Sequence, residues 1–378
     1  MRTMGGAPAL RASEKSLLHL LRLRGALSKA ELARLSNMSA QGVSIIIERL
    51  FDLALVKKGQ KKRGRVGQPS TPIILNPEGA VSMGIFIGMN KAQLVAADFR
   101  GAIRAERSVT YANARDLSAA QSIIEAASAL SDTLGDSLWS RRIGIGIAAR
   151  ECLLDTLSGT HAHAPGLADP DCLAQRLEKK FQVPAYCVND IRAACITEIA
   201  AGMEYANHST LYLDIGRSFG AGIILEGRLI GTEEQVSSSL HTLPMPERKN
   251  TYVGDLASLE SLRQSLEQSD SDYDTQLVAD FVDTQDAFAL WRDEAAQALA
   301  AAIRAASATL IIDRVLIASD LRHGALRDLV RELQHRLETD AHSRIRLPTI
   351  SMETVTPNPR AQGAAMVPFL KAFGMPEG

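Results

Sequence analysis

Apolar residues at positions 17, 18, 21 and 23 recur at helical spacing behind Ser13, which predicts a helix capped by that serine and closed at Gly25, where a left-handed backbone costs little. The next helix start is sharper. In Ser28-Lys-Ala-Glu31 the serine oxygen and the glutamate can satisfy each other's backbone amides, and Leu32, Ala33 and Leu35 follow. After the short link Ser36-Asn37-Met38, Ser39 heads a third helix with Val43, Ile46, Ile47 and Leu50 facing inward. Leu53 to Val56 and Thr71 to Leu75 are expected as the two strands of a wing. Three helices with a tight turn between the second and third, followed by a wing, make residues 1–75 a winged helix-turn-helix.

From residue 80 short β-rich runs alternate with longer helical stretches. Ser82 to Gly88, Gln93 to Asp98 and Ile103 to Tyr111 read as strands, with a hairpin turn at Phe99-Arg-Gly101. A helix from about Leu117 to Gly135 follows, then strands at Arg142 to Ala148 and Pro184 to Val188, each followed by a helix. At Ser209 the plan restarts with strands at Thr210 to Ile215 and Ala221 to Leu225. Later helices occupy about Ala287 to Ala306, Gly324 to Leu337 and Arg360 to Phe373, with a strand at Arg314 to Ile317. The fold class is therefore α/β: two lobes of related plan, residues 76–203 and 204–378, with a cleft expected between them and the C-terminal helix returning toward the first lobe.

Charge sharpens this division. The chain carries 42 Lys and Arg against 43 Asp and Glu, yet residues 1–75 hold 14 against 4, leaving 28 against 39 for the rest. A basic module on an acidic body suits a polyanionic partner, because Lys and Arg release condensed counterions when they meet phosphate. In the third helix Ser39, Gln41 and Ser44 lie at the outward N-terminal positions, beside Ala40 and Ile45. Gln41 is the best base reader there, since its amide both donates and accepts at an adenine edge. The wing loop adds Lys57, Lys58, Lys61, Lys62, Arg63 and Arg65. Such a run is more often a solvated linker. Its place directly after a helix-turn-helix favours phosphate contact, and the expected partner is a double-stranded DNA operator.

Other classes fall away. No stretch approaches the roughly 18 unbroken apolar residues of a bilayer span, and MRTMGGAPAL lacks the apolar core of a secretion signal, so no membrane partner and a cytoplasmic location are expected. Cys152, Cys172, Cys187 and Cys195 show no CxxC spacing and sit among apolar residues, as buried thiols do. His161-Ala-His163 has no obvious third ligand, and in Asp270-x-Asp272-x-Asp274 Thr275 and Phe281 occupy the glycine and bidentate-glutamate positions of a calcium loop. No metal site is expected.

The chain resembles the ROK family of repressors, open reading frames and kinases. The resemblance rests on LSKAELARLSNMSAQGVS, GRVGQPSTPIILNPEGA, GIFIG, GIGIA, the pair Asn189-Asp190 and LYLDIGRSFGAGIILEGRL, in the family's order and spacing. It implies an actin-like two-lobe fold, sugar recognition in the cleft, transcriptional regulation and a homodimer or homotetramer. The resemblance also exposes departures. Where family kinases read Asp-x-Gly-Gly-Thr, this chain has Phe86-Ile-Gly88-Met89-Asn90, and phenylalanine cannot hold magnesium, whose ligands are oxygens. The second phosphate loop reads Gly216-Arg217-Ser218-Phe219-Gly220, expected to put bulk where amides would approach phosphate, and the usual Gly-Gly near the adenine is Ala318-Ser319. No enzyme, no catalytic residue and no cofactor are expected; a sugar kinase is the weak alternative.

By the same resemblance Asn189, Asp190 and His241 are effector-binding residues, although an Asn-Asp pair ahead of a helix serves equally well as a cap. The family's Pro-Gly is here Arg150-Glu151, which places both residues at the effector site. Arg150 favours an anionic effector, a sugar acid or sugar phosphate, over a neutral sugar. The family's structural zinc needs a cysteine cluster after the histidine, and His241 has none. The expected function is a DNA-binding regulator of carbohydrate-related genes, a repressor, answering to a sugar or sugar-derivative effector. The alternative is a regulator whose body binds no small molecule and serves as a dimerisation or protein-docking scaffold.

Overall fold

Three helices open the chain: α1 (Ala12–Arg24), α2 (Lys29–Ser36) and α3 (Ala40–Asp52). In this computed structural model the described residues are 7–60, 71–114, 117–150, 170–200, 208–231, 238–266, 285–339, 346–352 and 358–374. Leu17, Leu21, Leu32, Val43, Ile47 and Leu50 meet in the buried core of the head, while Leu23 and Ile46 are half-buried. The capping box of α2 forms as expected, with the Ser28 amide donating to Glu31 Oε2 at 2.7 Å and the Glu31 amide to Ser28 Oγ at 3.2 Å. Asn37, at φ 56°, turns the chain sharply enough for Ser39 to cap α3 two residues later.

Two expectations shift. Ser13 lies inside α1, whose N-cap is Arg11, because the Glu14 carboxylate reaches back to accept the Arg11 amide at 2.8 Å. The wing strand is not Leu53 to Val56: α3 runs on to Asp52 and a turn through Ala54, at φ 56°, follows. Pairing therefore begins three residues later, in β1 (Val56–Lys58) against β2 (Ile73–Leu75), with Val56 opposite Leu75.

The chain divides into two compact units, Met1–Met203 with Pro357–Glu377, and Glu204–Thr356. The first contains β3 (Val81–Ile87), β4 (Lys91–Asp98), β5 (Ile103–Thr110), helices α4 (Leu117–Thr133) and α5 (Gly135–Trp139), β6 (Arg142–Ala149), α6 (Pro170–Phe181), β7 (Ala185–Asn189) and α7 (Asp190–Ala200). Its sheet runs β5-β4-β3-β6-β7, antiparallel through β3, β4 and β5 and parallel through β3, β6 and β7. The second contains β8 (Thr210–Ile215), β9 (Phe219–Leu225), β10 (Arg228–Leu229), the short α8 (Val253–Leu256) and α9 (Leu259–Ser265), α10 (Gln285–Thr309), β11 (Arg314–Ser319), α11 (His323–Thr339) and β12 (Thr349–Met352). Its order, β10-β9-β8-β11-β12, repeats the first plan strand for strand, with the same change from antiparallel to parallel at the central strand.

The last helix, α12 (Pro359–Phe373), lies on the first sheet at backbone distance. A Cβ at Gly84 or Gly146 would collide with the carbonyl of Ala361 or Ala364, and one at Gly363 with the carbonyl of Ala193 in α7. Ser82, buried in β3, donates its hydroxyl to the Ala365 carbonyl of the helix. The C-terminal end of α12 faces the head. Phe369 and Phe373 pack on Phe99 at ring-centre distances of 5.6 and 4.8 Å, and the Arg22 guanidinium of α1 lies 5.1 Å over Phe99 and 5.7 Å over Phe369. The head is also tied to this unit by Arg141, which donates to the Leu53 and Gly79 carbonyls at 2.8 Å each. Among the described residues no helix is long and apolar enough to cross a membrane.

Arg22 Nη1 is sealed from solvent without a hydrogen-bond partner, and desolvation lowers the guanidinium pKa to about 10 against an opposing pull from Asp98. Because the charged form is the one disfavoured by folding, its cost is fully present below pH 10. Arg22→Met, which keeps the stem packed on the two rings, is therefore expected to hold or raise Tm at pH 7, whereas Phe369→Ala is expected to cost about 3 kcal/mol in urea unfolding. A loss above about 2 kcal/mol for Arg22→Met would show that the cation–π contact outweighs the desolvation.

Candidate nucleic-acid interface and ligand site

The N-terminal half of α3 is open to solvent on one side. Gln41 is exposed, Ser44 half-buried, and Ile45 is 65% exposed. Ser39 Oγ accepts from the Gly42 amide at 3.1 Å as the cap of α3, which leaves its hydroxyl proton and second lone pair for other partners. Lys57 and Lys58 are exposed on β1; Lys61, Lys62, Arg63 and Arg65 lie outside the described residues. Sequence reasoning missed Lys29, whose ammonium bridges α2 to α3 through Glu48 at 2.9 Å. Its only signal was its place directly after the cap of α2.

The second constellation stands at the carboxyl ends of the parallel strands β3, β6 and β7. Register aligns Phe86 with Ala148 and Ala149 with Asn189, so that Phe86, Arg150 and Asp190 follow one edge of the sheet. Asn189 takes the capping role: its Oδ1 accepts the amides of Ile191 and Arg192 at 2.9 and 3.2 Å, starting α7. Asp190 is buried. Its Oδ1 accepts the Ile191 amide at 3.0 Å, and its Oδ2 lies 3.8 Å from Arg150 Nε and 3.8 Å from Arg360 Nε. Arg360, in the first turn of α12, also places its guanidinium 5.1 Å over the Phe86 ring. Sequence reasoning did not find Arg360. It stands some 170 residues from Asp190 and joins it only because α12 runs back along α7.

His241 belongs to the other unit, exposed on the single 3-10 turn Leu240–Thr242, and Glu151, His161, His163 and Asp270 to Asp274 lie outside the described residues. Among the described residues no cluster of three metal-ligating side chains occurs. In the turn between β8 and β9, Phe219 does not crowd the loop as expected. As the first residue of β9 it points inward and is buried in the core of its unit. Arg217 instead pairs with Glu260 at 3.5 Å, and the Leu259 amide closes on the Gly216 carbonyl at 2.8 Å. Hydrogen bonding from Arg263 is the main cause holding the Glu260 carboxyl below its ordinary pKa.

Comparisons with known proteins agree with this architecture. The ROK family model matches residues 82–367. The DNA-binding transcriptional dual regulator NagC of Escherichia coli is 22% identical over 254 residues, covering 63% of this chain and 59% of its own. The chain thus spans about three fifths of the length of the curated relatives it matches. Among solved structures, a ROK family transcriptional regulator homologous to the E. coli MLC protein superposes with a TM-score of 0.71 at 17% identity, over 96% of this chain and 97% of that one. A ROK hexokinase from Thermus thermophilus reaches 0.58 at 18% identity, over 77% of this chain and 98% of its own, so the fold alone is common to both activities.

The cap gives a direct check. Asn189→Ala is expected to lower stability by about 1 kcal/mol in urea unfolding, while Asn189→Ser, which keeps a cap acceptor, recovers most of it. Equal losses for both would show that the asparagine holds something other than the helix start.

Proposed function

The chain belongs to the ROK family, and we propose that it acts there as a sequence-specific DNA-binding regulator, a repressor of carbohydrate-related genes, rather than as a kinase. The observation that carries this reading is the head: a basic helix-turn-helix whose third helix leaves Gln41, Ser44 and Ile45 toward solvent, flanked by a wing that begins with two exposed lysines. Gln41 reads a base edge, Ile45 packs on a thymine methyl, and the wing cations from Lys57 to Arg65 follow phosphates. A homodimer or homotetramer presents two such heads to two half-sites. The protein works in the cytoplasm, where its operator is.

The body supplies the control. A sugar or sugar derivative held by Asn189, Asp190 and Arg150 alters DNA affinity by favouring one arrangement of the protein over another, at a typical coupling of about 1 to 3 kcal/mol. Phosphoryl transfer fits the site poorly. The position of the metal-placing carboxylate carries Phe86, with the Arg360 cation stacked upon it, and a guanidinium repels the divalent ion that phosphoryl transfer requires.

Binding to genomic fragments followed by gel shift at several salt concentrations tests this. Replacing Lys57 and Lys58 together by alanine is expected to weaken all sequences alike and to reduce the salt slope by about 2, while Gln41→Ala relaxes sequence preference at a cost of about 1 to 3 kcal/mol. An unchanged salt slope removes the wing from the interface, and no preferred fragment at moderate ionic strength removes the reading altogether.

A further inference from the structure

We propose that Glu48 is a specificity-determining residue of the head: it holds Lys29 away from phosphate and repels duplexes that α3 does not read. The inference rests on the DNA-binding reading above and goes beyond it by assigning an acidic group to the contact face. On α3 the exposed positions 41, 45, 48 and 52 follow one side of the helix, so Gln41, Ile45, Glu48 and Asp52 form a single outward stripe. Its N-terminal half is neutral and its C-terminal half is acidic. Residues 1–75 hold four carboxylates, and the other two serve the fold. Glu14 accepts the Arg11 amide and pairs with Arg49 at 3.0 Å, and Glu31 accepts the Ser28 amide.

Glu48 stands instead at the surface, 68% exposed, with its Oε1 2.9 Å from the Lys29 ammonium, itself 38% exposed. A pair so open to water adds little to folding. Its effect falls on whatever meets the surface. Lys29 opens α2, the helix that crosses the DNA backbone in a helix-turn-helix, and with Glu48 and Lys58 it lines the groove between α2, α3 and the wing. Glu48 thus sets a negative charge beside two cations suited to phosphate. A duplex that α3 reads holds the head in one seat, with the N-terminal half of the helix in the major groove and Glu48 about two turns behind Gln41. An unread duplex offers no such seat and is gripped by phosphate contact in many orientations, a share of which bring Glu48 and Asp52 against the backbone. The carboxylate penalises those orientations and spares the seated one, and specificity is that difference of affinities.

Fluorescence anisotropy of the full chain on a preferred genomic fragment and on a random duplex of equal length, at several salt concentrations, tests the proposal. Glu48→Gln and Glu48→Ala are each expected to tighten the random duplex by roughly threefold or more and to steepen its salt slope by about 1, the equivalent of one added phosphate contact. Binding to the preferred fragment is expected to stay within about twofold, so the ratio between the two falls. Adding Lys29→Ala to Glu48→Gln is expected to return the salt slope to that of the unaltered chain. An unchanged affinity or salt slope for the random duplex, a gain shared equally by both duplexes, or a steeper slope that survives Lys29→Ala overturns the proposal. So does a weaker preferred complex with an altered choice at one base pair, the result expected if Glu48 accepts from a cytosine amine. The DNA-binding reading fails separately, where the unaltered chain prefers no fragment.

Discussion

The structure of the first unit depends on one close approach, that of helix α12 to the sheet and to α7 through glycines. With Gly84 and Gly146 beneath the helix and Gly363 against the Ala193 carbonyl, any side chain at these positions would meet backbone rather than a yielding side chain. The approach allows Ser82 to bond the helix backbone directly and Thr197 to donate to the Pro359 carbonyl at 2.6 Å. Pro368 lies inside the helix, where its ring rests against Gly144 and leaves the Ala364 carbonyl without a helical donor. A segment so constrained moves as a body or not at all, since packed interiors are bistable rather than softly deformable.

That rigidity gives the ends of α12 a relation to each other. Arg360 sits at its start, beside Asp190 and Phe86, and Phe369, nine residues and about 14 Å along the axis, sits under Arg22 of the head. The same helix therefore contacts Asp190 and Phe86 with its first turn and the helical head with its last turns. Arg22 makes the second contact tight but costly, a buried cation balanced by two ring faces and by the attraction of Asp98.

Much of this was legible in the sequence because local chemistry decides it. The capping box of α2, the Ser39 cap and the inward residues of α3 need only a few neighbouring side chains, and the repeated strand plan follows from short, continuously apolar runs set between helical stretches of period 3.6. The misses have local causes of another kind. Arg11 caps α1 in place of Ser13 because Glu14 reaches back to it, and β1 starts late because α3 keeps its hydrogen bonds to Asp52 and only then turns at Ala54. Short segments such as α8, α9 and β12 escaped because two or three apolar residues carry no period; tertiary packing of Val253, Leu256 and Leu259 in the two helices and of Ile350 and Met352 in the strand makes them.

The constellation at the carboxyl ends of β3, β6 and β7 was half legible. Asn189, Asp190 and Arg150 are near a strand end and could be aligned to a family motif, but Arg360 is brought there by the return of α12, which no local pattern encodes in detail. Its guanidinium rests on the face of Phe86, so the ring is a platform that holds a positive charge at this end of the sheet. The ring and the guanidinium make physical sense as a pair, since an aromatic face gains from the cation above it and the cation is held flat by the ring.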